Sequence, residues 1–432
     1  MTEIDLGESE KKAALTDYLS KQEILEVQKS RFEKIIRNVI DVPFYQKKLK
    51  QDIRNLNVCS FNDLTELPFT TKQEIRNTSP IERSSSKSGG IAFIFSSSGT
   101  TGSRTAYLWS NMDDLIMKEV AGRCMERVGV GPSDVSLIIA PFGMNIMWYC
   151  MVNQYLAVGA CVIPLGITSL ENIVKAISTF PVTTITSLPV VGTRLFERIG
   201  ASESLASAKT KIRHFHFGGD YMSNARRSRI EKYWEVDCYD FYGLSEIFGP
   251  IAGECKEKSG LHLAADYLLV EVVDPCTGKE VREGEVGVAV YTTLWNKAAP
   301  LLRYWSDDYV SISWEKCKCG RTSPRIFFEG RPFDGFRIDG KWIFAKEVED
   351  ILLSFDGTGD EWDLKIEGGA KEPVAKLQIE SMDSDASTKR IEESLADLLG
   401  IPVKAEIVSC GFFSRGDLKP RRMMDQRSTY LK

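Results

Sequence analysis

Apolar residues recur at helical spacing through the first forty positions, including Ile24, Val27, Phe32, Ile35 and Ile36, and the pattern breaks at Val42-Pro43. An amphipathic helical lead-in is predicted there. The polar tract at 84–90 gives way to the apolar run 91–95, of strand type, and then to a second Ser/Gly-rich loop. Farther on, short apolar runs at 135–140, 160–164, 183–188, 214–218 and 238–242 are spaced by helical patterns such as 113–128 and 170–179. This alternation predicts an α/β fold with mainly parallel strands. Past Leu261 the pattern shortens to β-type segments with turns at 275–278 and 283–287, which predicts a β-rich subdomain over about 255–329. The expected organisation is a large N-terminal domain over 1–329, a hinge at 330–332, and a small mobile α+β C-terminal domain over 333–432. Within the last, helical segments are expected at 345–353 and 389–399.

The chain has 432 residues, too many for one hydrophobic core. With 55 Lys+Arg against 60 Asp+Glu its net charge is −5, which argues against nucleic-acid binding. The longest apolar stretch, 137–152, is broken by Pro141, Gly143 and Asn145 and is shorter than the roughly 20 residues of a spanning helix, so no membrane segment is expected. The acidic, polar start is unlike a signal peptide and makes a cytoplasmic address the expectation. Ten cysteines are too dilute for a disulfide scaffold, and His214, His216 and His262 are the only histidines. Any chemistry must therefore rest mainly on carboxylates, lysine, arginine, hydroxyls or thiols.

Ser96 to Arg104 reads SSSGTTGSR directly after the apolar run. Two glycines allow tight turning, hydroxyls and backbone N–H groups offer donors to an anion, and Arg104 adds charge, so the segment suits a phosphate cradle. The GxxxxGK[ST] spacing of a Walker loop is absent, and a Ser/Thr/Gly linker is the alternative.

Further motifs follow in order: VPFY at 42–45, LPFTTK at 67–72, SSGTTG at 97–102, YGLSE at 242–246 and CxCGRTxPRI at 317–326. With Asp307-Asp308, Gly330-Arg331 and a lysine near the C-terminus, the set resembles the adenylate-forming superfamily and, within it, the phenylacetate–coenzyme A ligase group. The resemblance implies two half-reactions. A carboxylate attacks the α-phosphate of ATP to form an acyl-adenylate, and coenzyme A then displaces AMP. It implies that Ser97, Ser98, Gly99, Thr100, Thr101 and Gly102, with Arg104, embrace the β- and γ-phosphates. Ser245 would meet the α-phosphate, and Glu246 would hold Mg²⁺. Asp240 aligns with the residue that meets the adenine amino group and Asp308 with the one that binds the ribose hydroxyls. Arg331 would lie near ribose and phosphate, and Gly219, Asp220, Tyr242 and Gly243 complete the nucleotide set. Lys419 takes the position of the catalytic lysine on a mobile domain. Taken singly, each of these residues also reads as an ordinary turn, acidic pair or surface cation.

Cys255-x₆-His262 and Cys317-x-Cys319 supply three sulfurs and one nitrogen, the donor set of a closed, structural zinc site, and the resemblance supports that reading. Buried free thiols are the alternative. By resemblance the acyl pocket draws on Phe142, Met147, Trp148, Tyr149, Phe217, Gly218, Phe241 and Pro250, apolar walls suited to an aryl group or simply core. Arg226, Arg227, Arg229 and Lys232 form a basic helical cluster, read as a solvated face or as a contact for a nucleotide 3′-phosphate.

Three positions depart from the group's pattern. Ser103-Arg104 replaces Lys-Pro after the phosphate loop, Phe333 stands where a hinge carboxylate is expected, and Ser306-Asp307-Asp308 replaces Thr-Gly-Asp. Gly340 and Phe344 match the loop that lines a pantetheine tunnel. The expected activity is ATP-dependent ligation of an aromatic carboxylic acid to coenzyme A. Alternatives are transfer to an acyl-carrier-protein thiol or an amine, and a weakly catalytic acyl-adenylate sensor. The family suggests a homodimer.

Overall fold

The computed structural model describes residues 16–49, 61–85, 90–97, 104–199, 211–295, 298–369, 372–381, 388–415 and 419–427. The chain forms two compact units, one of Met1–Thr186 with Tyr239–Phe327, the other of Ser187–Cys238 with Phe328–Lys432. This grouping does not follow chain order. The break near 328 lies close to the expected hinge, whereas 187–238 joins the C-terminal segment.

In the first unit the lead-in pattern becomes the helix Lys21–Val39, begun by Ser20, whose side chain accepts from the Glu23 N–H while Glu23 returns the bond. Ile24, Phe32, Ile35, Ile36 and Val39 form its buried face. Pro43 then opens the helix Pro43–Leu49, as proline can at a first turn. The helix Asn111–Val128 starts on a Ser110/Asp113 capping box and ends on Gly129 at φ 81°. Strand Val135–Ile139 pairs in parallel with Cys161–Pro164, as the alternating pattern predicts. Beyond residue 238 the pairing turns antiparallel, through neighbours Asp237–Leu244, Phe248–Gly253, Leu261–Leu263 and Arg325–Gly330. Leu268–Val273, Gly287–Thr293 and Tyr304–Ser313 make a second antiparallel run. The β-rich region therefore forms part of a large mixed sheet.

The second unit holds a four-stranded sheet in the order Val403–Ser409, Glu372–Ser381, Thr358–Gly369, Met423–Asp425. Trp362, Leu364 and Ile366 alternate inward along one strand, with Asp363 and Lys365 between them. Ile391, Leu395 and Leu399 recur every four residues on the helix Thr388–Leu399, so one stripe meets the sheet. The helix Ala345–Leu352 adds Val348 and Leu352 to the same core.

This unit also overturns both readings for the three arginines of the basic cluster, while Lys232 is exposed as a solvated face requires. Arg226 is buried, and its Nε lies 2.7 Å from Glu349 Oε1. Arg229 donates to the carbonyls of Leu353, Phe355 and Thr358, and Arg227 to that of Cys238. The Arg226 and Arg229 guanidiniums knit 223–234 to 349–360. A hydropathy pattern cannot reveal that, because a buried ion pair reads as two polar positions.

Candidate active site and cysteine cluster

Strands Asp237–Leu244 and Phe248–Gly253 form a tight hairpin whose bend carries Ser245 and Glu246. Gly243 is required, because a Cβ there would come within 2.5 Å of Gly249 Cα. Near one end of this hairpin Tyr242 donates to the fully buried carboxylate of Asp308, and Tyr291 donates to the Tyr242 hydroxyl at 3.0 Å. Burial and the Asp308 charge push the Tyr242 phenol well above its ordinary pKa, so it remains a donor. Asp240 receives a backbone N–H from Phe241, and its own N–H donates to Glu254 at 2.8 Å.

At the bend Glu246 meets Tyr107 and Lys72. Tyr107 donates to Oε1 at 3.2 Å, and Lys72 Nζ stands 3.6 Å from Oε1. Burial and the Glu246 charge push the Tyr304 phenol well above its ordinary pKa. The Ser97 N–H donates to the Thr105 carbonyl at 3.0 Å, and the Thr105 N–H returns to Ser97 Oγ at 3.3 Å. Ser98, Gly99, Thr100, Thr101 and Gly102 lie outside the described residues. Arg104 is exposed.

The VPFY and LPFTTK motifs meet the segment Arg303-Tyr304-Trp305 beside this cluster. Leu302 N–H donates to the Tyr45 hydroxyl at 2.8 Å, Trp305 N–H to the Thr70 carbonyl at 2.8 Å, and Arg303 Nη1 to the Thr65 carbonyl at 2.6 Å. Lys72, Tyr107, Tyr304, Tyr291 and Glu254 are the residues that sequence reading missed. Only Lys72 carries a signal, as the last residue of LPFTTK.

Of the pocket residues in this unit, Phe142 is exposed and edge-on to Trp148 at 5.2 Å, while Trp148 Nε1 donates to the Gly143 carbonyl. Tyr149 packs against Phe93 and Phe95 at 5.2 and 5.3 Å and donates to Asp114. Met147 is half-buried, and Phe241 and Pro250 are buried.

The second unit carries Phe217, Gly218, Gly219 and Asp220 at the end of strand His214–Gly218. Phe217 is core, so close to Gly192 that a Cβ there would meet its ring at 2.8 Å. Gly219, at φ 85°, turns the chain so that Asp220 follows. Burial raises the Asp220 carboxyl, and the charges of Lys419, Arg226 and Arg331 oppose that rise. Lys419 and Arg331 thus act on one carboxylate within this unit. Phe333 is exposed, and the neighbouring Asp334 is the buried carboxyl, accepting from the Arg422 and Met423 N–H groups at 3.1 and 3.2 Å.

The donor atoms of Cys255, His262, Cys317 and Cys319 all lie within 4.8 Å of one another. Cys255 Sγ is 3.8 Å from Cys317 Sγ, and Cys319 Sγ is 3.4 Å from His262 Nε2. A tetrahedron with arms of about 2.3 Å to sulfur has edges of roughly 3.8 Å. His262 Nδ1 lies 3.0 Å from Ser323 Oγ, which fixes the ring, and burial with the Arg127 charge lowers its pKa to about 4, leaving it neutral. Arg127 donates to the His262 carbonyl and to Asp17, which also accepts from Arg321. The remaining described cysteines form no disulfide. No helix among the described residues is long and apolar enough to cross a membrane.

A family model described as AMP-binding enzyme matches residues 6–293, and one described as AMP-binding enzyme C-terminal domain matches residues 340–427. The phenylacetate-coenzyme A ligase of Thermus thermophilus is 29% identical over 438 residues, covering 95% of this chain and 98% of that protein. The Escherichia coli protein of the same name is 26% identical over 426 residues, covering 95% and 96%. A crystal structure of 2-hydroxyisobutyryl-CoA ligase in the postadenylation state, in complex with 2-HIB-AMP, shares the fold with a TM-score of 0.85 at 21% identity, covering 96% of this chain and 92% of that one. The mixed α/β architecture and the likeness to phenylacetate–coenzyme A ligases expected from the motifs are borne out. On the match of more than half its length, the chain belongs to the AMP-binding enzyme family.

Proposed function

We propose that this protein is an AMP-forming acid–thiol ligase that joins an aromatic carboxylic acid to coenzyme A. The observation that carries the reading is the hairpin 237–253, which presents the buried Asp308–Tyr242 pair and the Glu246 cluster from one rigid element. In the first half-reaction a carboxylate oxygen of the acid bonds to the α-phosphorus, and the bond to the β-phosphate oxygen breaks with its electron pair leaving on pyrophosphate. Asp308 offers two acceptor oxygens to the ribose hydroxyls. Tyr242 donates to one of these oxygens and so fixes the orientation of the carboxylate. Glu246 would hold Mg²⁺, whose charge offsets that of the phosphates. Lys419 would place its ammonium against the α-phosphate and the acid's carboxylate. In the second half-reaction the coenzyme A sulfur, having lost its proton to solvent, attacks the acyl carbon and AMP departs with the electron pair. The half-buried aromatic group of Phe93, Trp148 and Tyr149 supports an aryl acid. The four-donor cluster would hold Zn²⁺ in a closed structural site, since its donors leave no position for water.

The test is ATP–pyrophosphate exchange over a panel of aryl and arylacetic acids, with thioester formation measured on adding coenzyme A. Acid-dependent exchange and a coenzyme A thioester are expected, and Lys419→Ala should abolish exchange while the protein remains folded. Exchange without thioester would redirect the second half to a carrier-protein thiol or an amine. Absence of exchange with every acid would refute the reading.

A further inference from the structure

We propose that Asp334 is the positioning residue for Lys419, its buried carboxylate fixing the backbone that carries the ammonium used in the adenylation half-reaction. The inference rests on the ligase reading above, which gives Lys419 its role. Lys419 is exposed and lies three residues before Arg422, which is buried. A lysine side chain is long and flexible, so its charge arrives at one place only if the chain beneath it is held. Asp334, Lys419 and every group that joins them belong to the second unit.

The hold begins directly after the lysine. Pro420 fixes its own φ and narrows the backbone choices of Lys419. Arg421 Nε turns back to the Met423 carbonyl at 3.1 Å. Arg422 points inward, pairing with Glu361 Oε2 at 2.7 Å and donating to the Trp362 carbonyl at 2.9 Å. Its carbonyl accepts from the Leu364 N–H at 2.8 Å, and the strand Met423–Asp425 continues beside Leu364, Lys365 and Ile366. The sheet thus takes the Arg422 carbonyl, while the N–H groups of Arg422 and Met423 both go to Asp334 Oδ1, at 3.1 and 3.2 Å. Charge-assisted bonds of this kind are the stronger class. Asp334 itself ends the turn Pro332–Asp334, where its N–H donates to the Arg331 carbonyl at 3.0 Å. At the far end of the same segment Arg427 donates to the Arg337 carbonyl at 3.0 Å, so 422–427 is fastened to 334–337 at two points. Glu361 also serves Arg194 and Arg415, whereas among the described residues the Asp334 carboxylate accepts from these two amides alone. Phe333 beside it is exposed, so the acid of this turn is the one directed inward.

A residue that acts through Lys419 must affect the half-reaction that uses the lysine and spare the other. Asp334→Ala should slow acid-dependent ATP–pyrophosphate exchange by roughly 100-fold, the effect of misplacing a reacting group by about 1 Å, with KM for ATP and for the acid unchanged. Asp334→Asn, whose amide oxygen still accepts both N–H groups, should keep most of the rate. Thioester formation from coenzyme A and the supplied acyl-adenylate of the same acid should run at the unsubstituted rate in both variants. Asp334→Ser, too short to reach both amides, serves if the Ala variant does not fold. Unchanged exchange in Asp334→Ala, equal slowing of the two half-reactions, or an Asn variant as slow as the Ala variant overturns the proposal. Absence of exchange in the unsubstituted protein would refute the ligase reading instead. The brace is then decided by hydrogen exchange of the Arg422 and Met423 amides, which should be roughly 10- to 100-fold faster in Asp334→Ala and unchanged in Asp334→Asn. Equal protection in all three proteins would remove it.

Discussion

Glu349 is fully buried, and four donors converge on its two oxygens. Oε1 receives Ser223 Oγ at 2.6 Å and Arg226 Nε at 2.7 Å, and Oε2 receives Tyr221 OH at 3.1 Å and Arg226 Nη2. Glu349→Gln preserves shape but replaces one oxygen with an NH₂ group. Whichever way the amide turns, an Arg226 N–H then faces a donor, a hydroxyl of Ser223 or Tyr221 must turn to accept, and the guanidinium loses its counter-charge. Breaking a buried pair in this way costs about 3–5 kcal/mol. Hydrogen exchange of the Ala345–Leu352 helix, followed by mass spectrometry, reads the loss locally. At about 1.4 kcal/mol per decade, the most protected amides should exchange from about 100-fold to several thousand-fold faster. Replacing both partners, as Arg226→Met with Glu349→Leu, should restore much of the protection, because neither charge then remains buried alone. A Gln variant less than about tenfold faster, near 1.4 kcal/mol, would refute this account, as would a double variant as labile as the sum of its singles.

Three further predictions follow from the geometry. Burial and the nearby Asp220 charge raise the pKa of Asp334 to about 6, so the folded state holds an extra proton between about pH 4 and 6 and loses stability as pH rises through that window. Asp334→Asn should remove that slope from urea titrations while still accepting from Arg422 and Met423 N–H; an unchanged slope would rule out this carboxyl as its source. Gly330→Ala would set a Cβ 2.4 Å from Phe344 Cγ, and such overpacking should cost about 1–3 kcal/mol in urea unfolding, whereas an unaffected midpoint would mean that Phe344 moves freely. Metal analysis should find about one equivalent of zinc, and Cys319→Ser should lower it sharply; a metal-free unsubstituted protein would remove zinc from the reading.

Much of the scaffold was legible because its periodicities are local. The 170–179 helix and the 214–218 strand match their elements, and the cysteine spacing brought together four donors that the structure places within 4.8 Å. What stayed hidden depends on pairing across the chain. Nothing near Lys72 in sequence announces Glu246, and Arg226 reads as an exposed cation until Glu349 is folded against it. Tyr107 and Tyr291 look like strand aromatics, and only their hydroxyl partners, Glu246 and Tyr242, tie them to the site.

The discontinuous second unit bears on how the chain is made. Synthesis proceeds from the N-terminus at about 5–20 residues per second, so 187–238 must wait on the order of 5–20 s before the partner segment beginning at Phe328 begins to appear. During that interval Arg226 has no Glu349, and the amphipathic helix Pro189–Ile199 has no Glu361 for Arg194. Nascent chains stalled between residues 240 and 330 should therefore be rich in chaperone-binding and aggregation-prone species, while those released after the Met423–Asp425 strand hold every element of the second unit and should complete it. Expression yield would then depend on translation rate across that window as well as on the stability of the finished fold.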